Sequence, residues 1–113
     1  APNVIYPAEV DLGNSGSGTQ TIDFSTFINA RTTMTGNIST QTLSNVTAGK
    51  AGTITFIQDG TGTRTTVWNT IFKFPAGTIP ALSTAINTVD VLTYSCRSAT
   101  FCIASLIKDV RNP

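Results

Sequence analysis

The stretch Gly-Thr-Ile-Thr-Phe-Ile-Gln, residues 52–58, decides the fold class, because it has the composition and alternation of a half-buried β-strand. Threonine and isoleucine are β-branched and phenylalanine is aromatic, and all three suit a pleated surface better than a helix. The next residues, Asp-Gly-Thr-Gly at 59–62, indicate a tight connection. The pattern therefore predicts that residues 63–68 return as the neighbouring strand of a hairpin.

The same alternation of short strand and turn recurs along the chain at intervals of about 8–12 residues, which is typical of an all-β sandwich or barrel. Ile22 and Phe24 share one face of a strand, and Gly36-Asn37 indicates a hairpin because both residues tolerate positive φ. We predict a single-domain, all-β fold, an antiparallel β-sandwich or jelly-roll-like arrangement of about eight short strands. After an extended segment at 4–11, the predicted strands are residues 19–24, 28–34, 38–43, 52–58, 63–68, 88–96 and 101–107.

The chain is expected to divide into three parts around one core. Pro2 and Pro7 argue against a central strand at the N-terminus, so residues 1–18 are interpreted as an extended N-terminal arm and a Gly/Ser loop. Residues 19–108 form the β-sandwich domain, and residues 109–113 are a short polar tail. A chain of 113 residues buries about two-thirds of the surface that its unfolded form exposes, which is enough for one two-layer core.

Charge is scarce and scattered. Charged residues make up 12% of the chain, against about 25% in an average domain, and the formal net charge is +1. A nucleic-acid binder concentrates Lys and Arg because phosphate neutralisation supplies most of its affinity. Here the seven basic residues run from Arg31 to Arg111 without clustering, and no run of about 20 apolar residues could span a membrane. We expect neither nucleic acid nor membrane as a partner.

The sequence has no histidine, which removes the commonest general base, the Ser-His-Asp arrangement and His-ligated metals together. Glu9 and Asp11 are close neighbours, but such a pair on an extended segment is more often solvated than catalytic. Asp59 is interpreted as a turn residue, and Asp90 is expected to point outward because its two valine neighbours take the buried phase. We predict that the protein is not an enzyme and has no catalytic residues, cofactor or metal site.

Two pairs of residues remain as candidates for a crosslink or a binding site. Cys96 and Cys102 flank the last predicted hairpin, where they either face each other and form a disulfide or remain half-buried thiols. Trp68, at a strand end before a loop, and Tyr94 are candidate ligand-facing aromatics, because aromatic faces stack on sugar rings. The phenylalanines, Phe101 included, are expected in the core.

Three motifs in the second half of the chain are more specific than a generic β pattern. They are Gln-Asp-Gly-Thr-Gly-x-Arg-Thr at 58–65, Phe-Pro-x-Gly-Thr-x-Pro-x-Leu-Ser at 74–83 and Asn-x-x-Asp-x-Leu at 87–92. In this order they resemble a β domain common in tailed-bacteriophage virion proteins, found at tail-fibre ends and as free-standing head decoration proteins. The resemblance covers residues 19–108. It departs at the final hairpin, where Arg97-Ser98 and Phe101 replace the usual Asp-Gly turn and Trp.

The resemblance implies a non-enzymatic bacteriophage structural protein, a capsid decoration (cement) protein that binds the outer head shell and stabilises it. Its partner would be the major capsid protein of the phage head, and the protein would be a homotrimer. It would be made in the bacterial host cytoplasm and would end on the capsid exterior of the virion. The apolar residues Val4, Ile5 and Tyr6 of the arm would then contact a neighbouring subunit or the shell.

Two other functions remain open on the sequence. A carbohydrate-binding or host-adhesion domain of a tail fibre or spike would expose an aromatic cluster, with Trp68 and Tyr94 as its candidates. A secreted bacterial β-sandwich module would carry an oxidised Cys96–Cys102 pair and an encoded signal peptide.

Overall fold

Eight β-strands and one 3-10 turn make up the regular structure of residues 8–111, the part of the chain that the computed structural model describes. That part contains no α-helix, and its strands enclose one hydrophobic core, so the predicted all-β, single-domain class is confirmed. The 3-10 turn covers Pro75–Gly77. The strands are β1 (Val10–Asn14), β2 (Gly18–Asp23), β3 (Asn29–Met34), β4 (Ile38–Ser44), β5 (Ala51–Gln58), β6 (Phe72–Lys73), β7 (Val89–Ser98) and β8 (Phe101–Ile107).

The strands form two sheets of unequal size. The large sheet has six strands in the order β1-β3-β5-β7-β8-β6, and the small sheet pairs β2 with β4. From β1 to β5 the chain alternates between the two sheets. Successive strands of one sheet are therefore separated in the sequence by a strand of the other sheet. Crossover connections of this kind join parallel strands. Accordingly β1, β3 and β5 are parallel, as are β2 and β4, whereas β7 is antiparallel to both β5 and β8.

The predicted antiparallel arrangement is therefore wrong for most strand pairs. A period of two identifies a half-buried strand, but it carries no information on the direction of the neighbouring strand. Gly36 and Asn37 form a corner between the two sheets instead of the predicted hairpin. A Cβ atom at Gly36 would lie 2.7 Å from the Gly16 carbonyl oxygen, so this close crossing of the chain requires glycine.

Residues 63–68 do not form the predicted strand. They make an isolated bridge, between Thr66 and Ile38, and β7 takes the place beside β5 that they were expected to fill. The whole connection from β5 to β7 is irregular except for β6 and the 3-10 turn. The Asp-Gly-Thr-Gly turn after β5 therefore begins a long loop, not a hairpin.

The N-terminal part also differs from the expectation. Residues 12–14, which were expected in a flexible loop, belong to β1, and Val10 of this strand lies opposite Ala30 of β3. The arm residues Val4, Ile5 and Tyr6 lie outside the described residues, and so do the last two residues of the predicted tail.

The core lies on the inner face of the large sheet, beneath the small sheet and the irregular connection. Phe24, which follows β2, packs edge-on against Tyr94 of β7 with ring centroids 5.1 Å apart. Trp68 of the connection packs edge-on against Phe56 of β5 at 5.3 Å. Aromatic pairs in this geometry contribute about 0.5–1.5 kcal/mol beyond the area that they bury. The small sheet and the irregular connection thus cover the inner face of the large sheet. The outward residues of β3, β5, β7 and β8 stay partly or fully exposed.

Candidate functional site

The three motifs that carry the resemblance meet at one end of the large sheet. The first two are joined by the side chain of Gln58, and the third is joined to the second by a hydrogen bond between Asp90 and Ser83. Gln58 is 3% exposed. Its Nε2 donates hydrogen bonds to the carbonyl oxygens of Arg64 at 2.6 Å and Ser83 at 2.9 Å, and its Oε1 accepts one from the Arg64 amide at 3.1 Å. Gln58 therefore fixes the beginning and the end of the irregular connection at the same point.

Asp59 shapes the turn that follows Gln58. One carboxylate oxygen accepts hydrogen bonds from the backbone amides of Thr61 and Gly62, and the other binds the Arg64 guanidinium at 3.1 Å. The hydrogen bond from Arg64 is the main reason why the pKa of Asp59 lies below its ordinary value. Asp59 acts within the chain as the turn residue that its sequence context indicated.

Asp90 is buried, so its predicted outward orientation is wrong. It is 2% exposed and accepts hydrogen bonds from the backbone amides of Ser83 at 2.6 Å and Asp109 at 2.7 Å. Strand β7 has apolar residues in both phases, and these two backbone donors satisfy the inward carboxylate. Gln58, Asp59 and Asp90, which belong to the motifs of the resemblance, thus bind the backbone of their own chain and hold the irregular connection in place.

The structure buries both residues that were predicted as ligand-facing aromatics, which corrects that prediction. Trp68 is 7% exposed, and its Nε1 donates to the Pro80 carbonyl at 2.8 Å. Tyr94 is 3% exposed, and its hydroxyl donates to the Ile28 carbonyl at 2.5 Å. Burial raises the pKa of Tyr94 to about 12. Because the polar group of each ring is satisfied inside the fold, neither residue offers a face to a sugar.

Cys96 and Cys102 lie directly opposite each other on β7 and β8 and form a disulfide. Both side chains are buried, at 3% and 0% exposure. The bond lies on the inner side of the hairpin, while Arg97 and Phe101 extend from its outer side. It thus ties together the base of the turn that presents these two residues.

Removing this crosslink should lower the free energy of unfolding by about 2 kcal/mol, because a short loop in the unfolded chain is no longer closed. The measurement is urea unfolding of Cys96→Ala, Cys102→Ala and the double variant. Each single variant already loses the bond, so each should account for most of the loss in the double variant. Additive losses from the two single variants would show that packing, not the crosslink, carries the effect.

The outward residues of β8 and the adjacent part of β7 form an exposed surface that we call the β8 face. It has large apolar side chains at 36%, 50% and 54% exposure, namely Phe101, Ile103 and Ile107. Between them the Thr93 and Ser105 hydroxyls hydrogen bond to each other at 2.8 Å, so these two polar groups already have a partner within the chain. The β8 face consists of Thr93, Ser95, Phe101, Ile103, Ser105 and Ile107.

Two shallow depressions lie at the edge of the large sheet near β6 and β8. Each has a volume of about 280 Å³, below the range of about 300–1,000 Å³ in which small-molecule pockets usually fall. The first lies on the β8 face beside Ile103 and Pro75, and the second lies beside Lys73 and Ile79. Their size and open shape suit contact with a protein surface better than enclosure of a small ligand.

The sequence prediction missed the β8 face because it assigned Phe101 to the core. A detectable pattern was present, since β8 carries Phe101, Ile103 and Ile107 in one phase and Cys102, Ala104 and Leu106 in the other. A strand that is apolar in both phases is usually covered on both faces. Here the chain covers one face, and the other is open in the part of the molecule that the structure describes.

Residues 8–111 hold no group of three or more His, Cys, Asp or Glu side chains placed to bind a metal ion. They also contain no helix with the length and hydropathy needed to cross a membrane. Comparison with known proteins finds no matching family model, no matching curated protein and no matching solved structure.

Proposed function

We propose that the chain is a non-enzymatic structural protein of a bacteriophage virion, a capsid decoration (cement) protein that binds the outer head shell and stabilises it. One observation carries the proposal: the β8 face exposes three large apolar side chains, Phe101, Ile103 and Ile107, which no described residue covers. Contiguous exposed apolar surface of this kind is characteristic of protein docking sites. Two packed sheets of unequal size also support describing the domain as a β-sandwich.

The proposed partner is the major capsid protein of the phage head, and the proposed assembly is a homotrimer on the capsid exterior. A docking surface on paired strands is more rigid than one on loops, and the disulfide beneath the β7–β8 hairpin adds to this rigidity. Such a surface loses little conformational entropy on binding. The N-terminal arm with Val4, Ile5 and Tyr6 is proposed as the second contact.

The disulfide supports a working environment outside the reducing cytoplasm. Disulfides persist on virion surfaces and in secreted proteins, whereas cytoplasmic thiols are kept reduced. We propose that the chain is made in the bacterial cytoplasm as the dithiol. The Cys96–Cys102 bond would form after the virion is released, when an external oxidant such as dissolved oxygen takes up the two electrons and two protons that the thiols lose. The same bond favours a secreted bacterial module as a second candidate, which an encoded signal peptide upstream of Ala1 would support.

We expect the purified protein to have a native mass of three times 11.9 kDa, maintained on dilution. It should also co-sediment with heads assembled from the major capsid protein of the same genome. Removal of residues 1–8 should abolish this attachment because the arm is lost, while the unfolding midpoint of the domain should change little. The measurements are native mass across a dilution series and sedimentation with heads.

A monomer that does not sediment with heads would contradict the proposal. If that monomer bound a glycan array, the alternative of a carbohydrate-binding or host-adhesion domain would replace it, with a site other than Trp68 and Tyr94. Unchanged attachment of the truncated chain would contradict only the role of the arm. These outcomes separate the assembly, the partner and the contact residues.

A further inference from the structure

The β8 face has a positively charged end built around one aromatic ring. Phe101 is 36% exposed, and the Lys73 Nζ lies 5.7 Å from its ring centroid. The Arg97 Cζ lies 5.4 Å from the same centroid. Both distances are within the about 6 Å over which a cation is attracted to an aromatic face. The two cations come from β7 and β6, the strands on either side of β8, so Phe101 lies between the strands that carry them. We call these three residues the Phe101 cluster.

The two cations of the Phe101 cluster lack a carboxylate partner among residues 8–111. Lys73 donates to the Thr70 carbonyl, and Arg97 forms no ion pair in the described chain. Two like charges near one ring have no opposite charge to offset them, so an anion within reach of both would be attracted by both. The cluster is therefore suited to receive a carboxylate at the rim of an apolar surface.

A second copy of the chain is a poor source of that carboxylate. Arg31 binds Glu9 and Asp11, and Arg64 binds Asp59. The other three carboxylates are also engaged: Asp23 by Asn45 and Ser25, Asp90 by two backbone amides, and Asp109 by Arg111. All six side-chain carboxylates of the sequence thus already have partners within the chain. Charge complementarity favours a different protein with unpaired acidic residues.

We propose that the Phe101 cluster anchors the β8 face to an acidic surface of a partner protein, one that presents a carboxylate next to apolar residues. The inference rests on the proposed function, in which that partner is the head shell. The carboxylate would lie beside the exposed Phe101 ring, within reach of Lys73 and Arg97, and the partner's apolar side chains would cover Ile103 and Ile107. Charge at the rim would set orientation, and the apolar strip would supply buried area.

The test uses the full chain and a short, end-blocked peptide in which glutamate alternates with threonine and valine. The expected result is that the peptide shifts the backbone amide NMR signals of Lys73, Arg97 and Phe101, with an affinity that falls as salt is raised. A peptide with glutamine in place of each glutamate should bind about tenfold more weakly. Arg97→Gln and Phe101→Ala should each weaken binding by a similar factor.

The matched control is Lys108→Gln, which removes one positive charge near the other end of β8, where residues 8–111 place no aromatic ring under the ammonium group. It should leave peptide affinity unchanged. An equal loss from Lys108→Gln and Arg97→Gln would overturn the proposal, because net charge alone would then explain binding. Absence of binding by the acidic peptide would overturn it as well, and stronger binding of heparin than of the peptide would assign the cluster to anionic sugars.

The two levels of the proposal fail in different ways. If heads bind the wild-type chain, the Arg97→Gln variant and the Phe101→Ala variant equally well, the virion function stands and the docking role of the cluster is wrong. If the acidic peptide binds at the cluster but heads bind no form of the chain, the cluster stands and the virion function is wrong.

Discussion

Replacing Trp68 with alanine should lower the free energy of unfolding by about 3–5 kcal/mol, the usual cost of deleting a large buried aromatic side chain. The indole packs against three phenylalanine rings at centroid distances of 5.3, 6.1 and 5.7 Å, and its Nε1 bond to the Pro80 carbonyl would also be lost. Denaturant unfolding measures the effect. The three rings belong to Phe56, Phe72 and Phe74.

Phe101→Ala is the matched control, since it also removes an aromatic side chain but from the exposed β8 face. It should lower stability by about 1–2 kcal/mol, clearly less than Trp68→Ala, because Phe101 is 36% exposed and Trp68 only 7%. The comparison separates the two roles of aromatic residues in this fold. If Trp68→Ala left stability intact and instead removed binding to a glycan, the ring would be a ligand platform and its structural role would be wrong.

Replacing Gln58 with leucine should destabilise the fold by about 3 kcal/mol, although the two side chains have similar volumes. Leucine leaves the amide of Arg64 and the carbonyls of Arg64 and Ser83 without the bonds that the buried Gln58 supplies. Each buried group left unsatisfied costs about 1–3 kcal/mol. The change should also release the irregular connection, which hydrogen exchange at residues 59–88 would detect as faster exchange.

Gln20→Leu offers the same substitution in a different buried setting. Gln20 is 6% exposed, its Nε2 bonds to the Thr32 hydroxyl, and its Oε1 has no hydrogen-bond partner in the described part of the chain. Leucine removes one bond but also removes an unsatisfied acceptor, so the net change should stay within about 1 kcal/mol. Equal destabilisation by the two variants would mean that side-chain shape, not the network at Gln58, determines the result.

The sequence was sufficient to locate most strands, because a period of two identifies a half-buried strand without knowledge of its partners. Strands β2, β3, β5 and β8 fall close to their predicted positions, and Ile22 and Phe24 are buried as their shared phase indicated. Strand pairing could not be obtained in the same way. Gly36-Asn37 is compatible with either a hairpin or a corner between sheets, and only packing in three dimensions decides between them.

The candidate site shows where local patterns fail for a different reason. The flanking valines predict an outward Asp90, yet the backbone amides of Ser83 and Asp109, which lie outside β7, make its burial favourable. The position of Phe101 in a predicted core strand indicates a buried ring, yet none of the described residues forms a layer that covers it. In both cases the outcome depends on which elements pack against the strand, and the residues next to Asp90 or Phe101 in the sequence do not show this.

The alternation of the chain between two sheets has a consequence for the order in which the protein folds. Parallel partners such as Ala30 and Ile54 are brought together only after the strand between them has crossed to the other sheet and back. Strands β7 and β8, in contrast, are separated by a two-residue turn and pay little loop-closure entropy. Non-local β pairing is slow, on the order of milliseconds to seconds. The β7–β8 hairpin should therefore form early. Pairing of the parallel strands between β1 and β5 should then set the rate at which the whole domain folds.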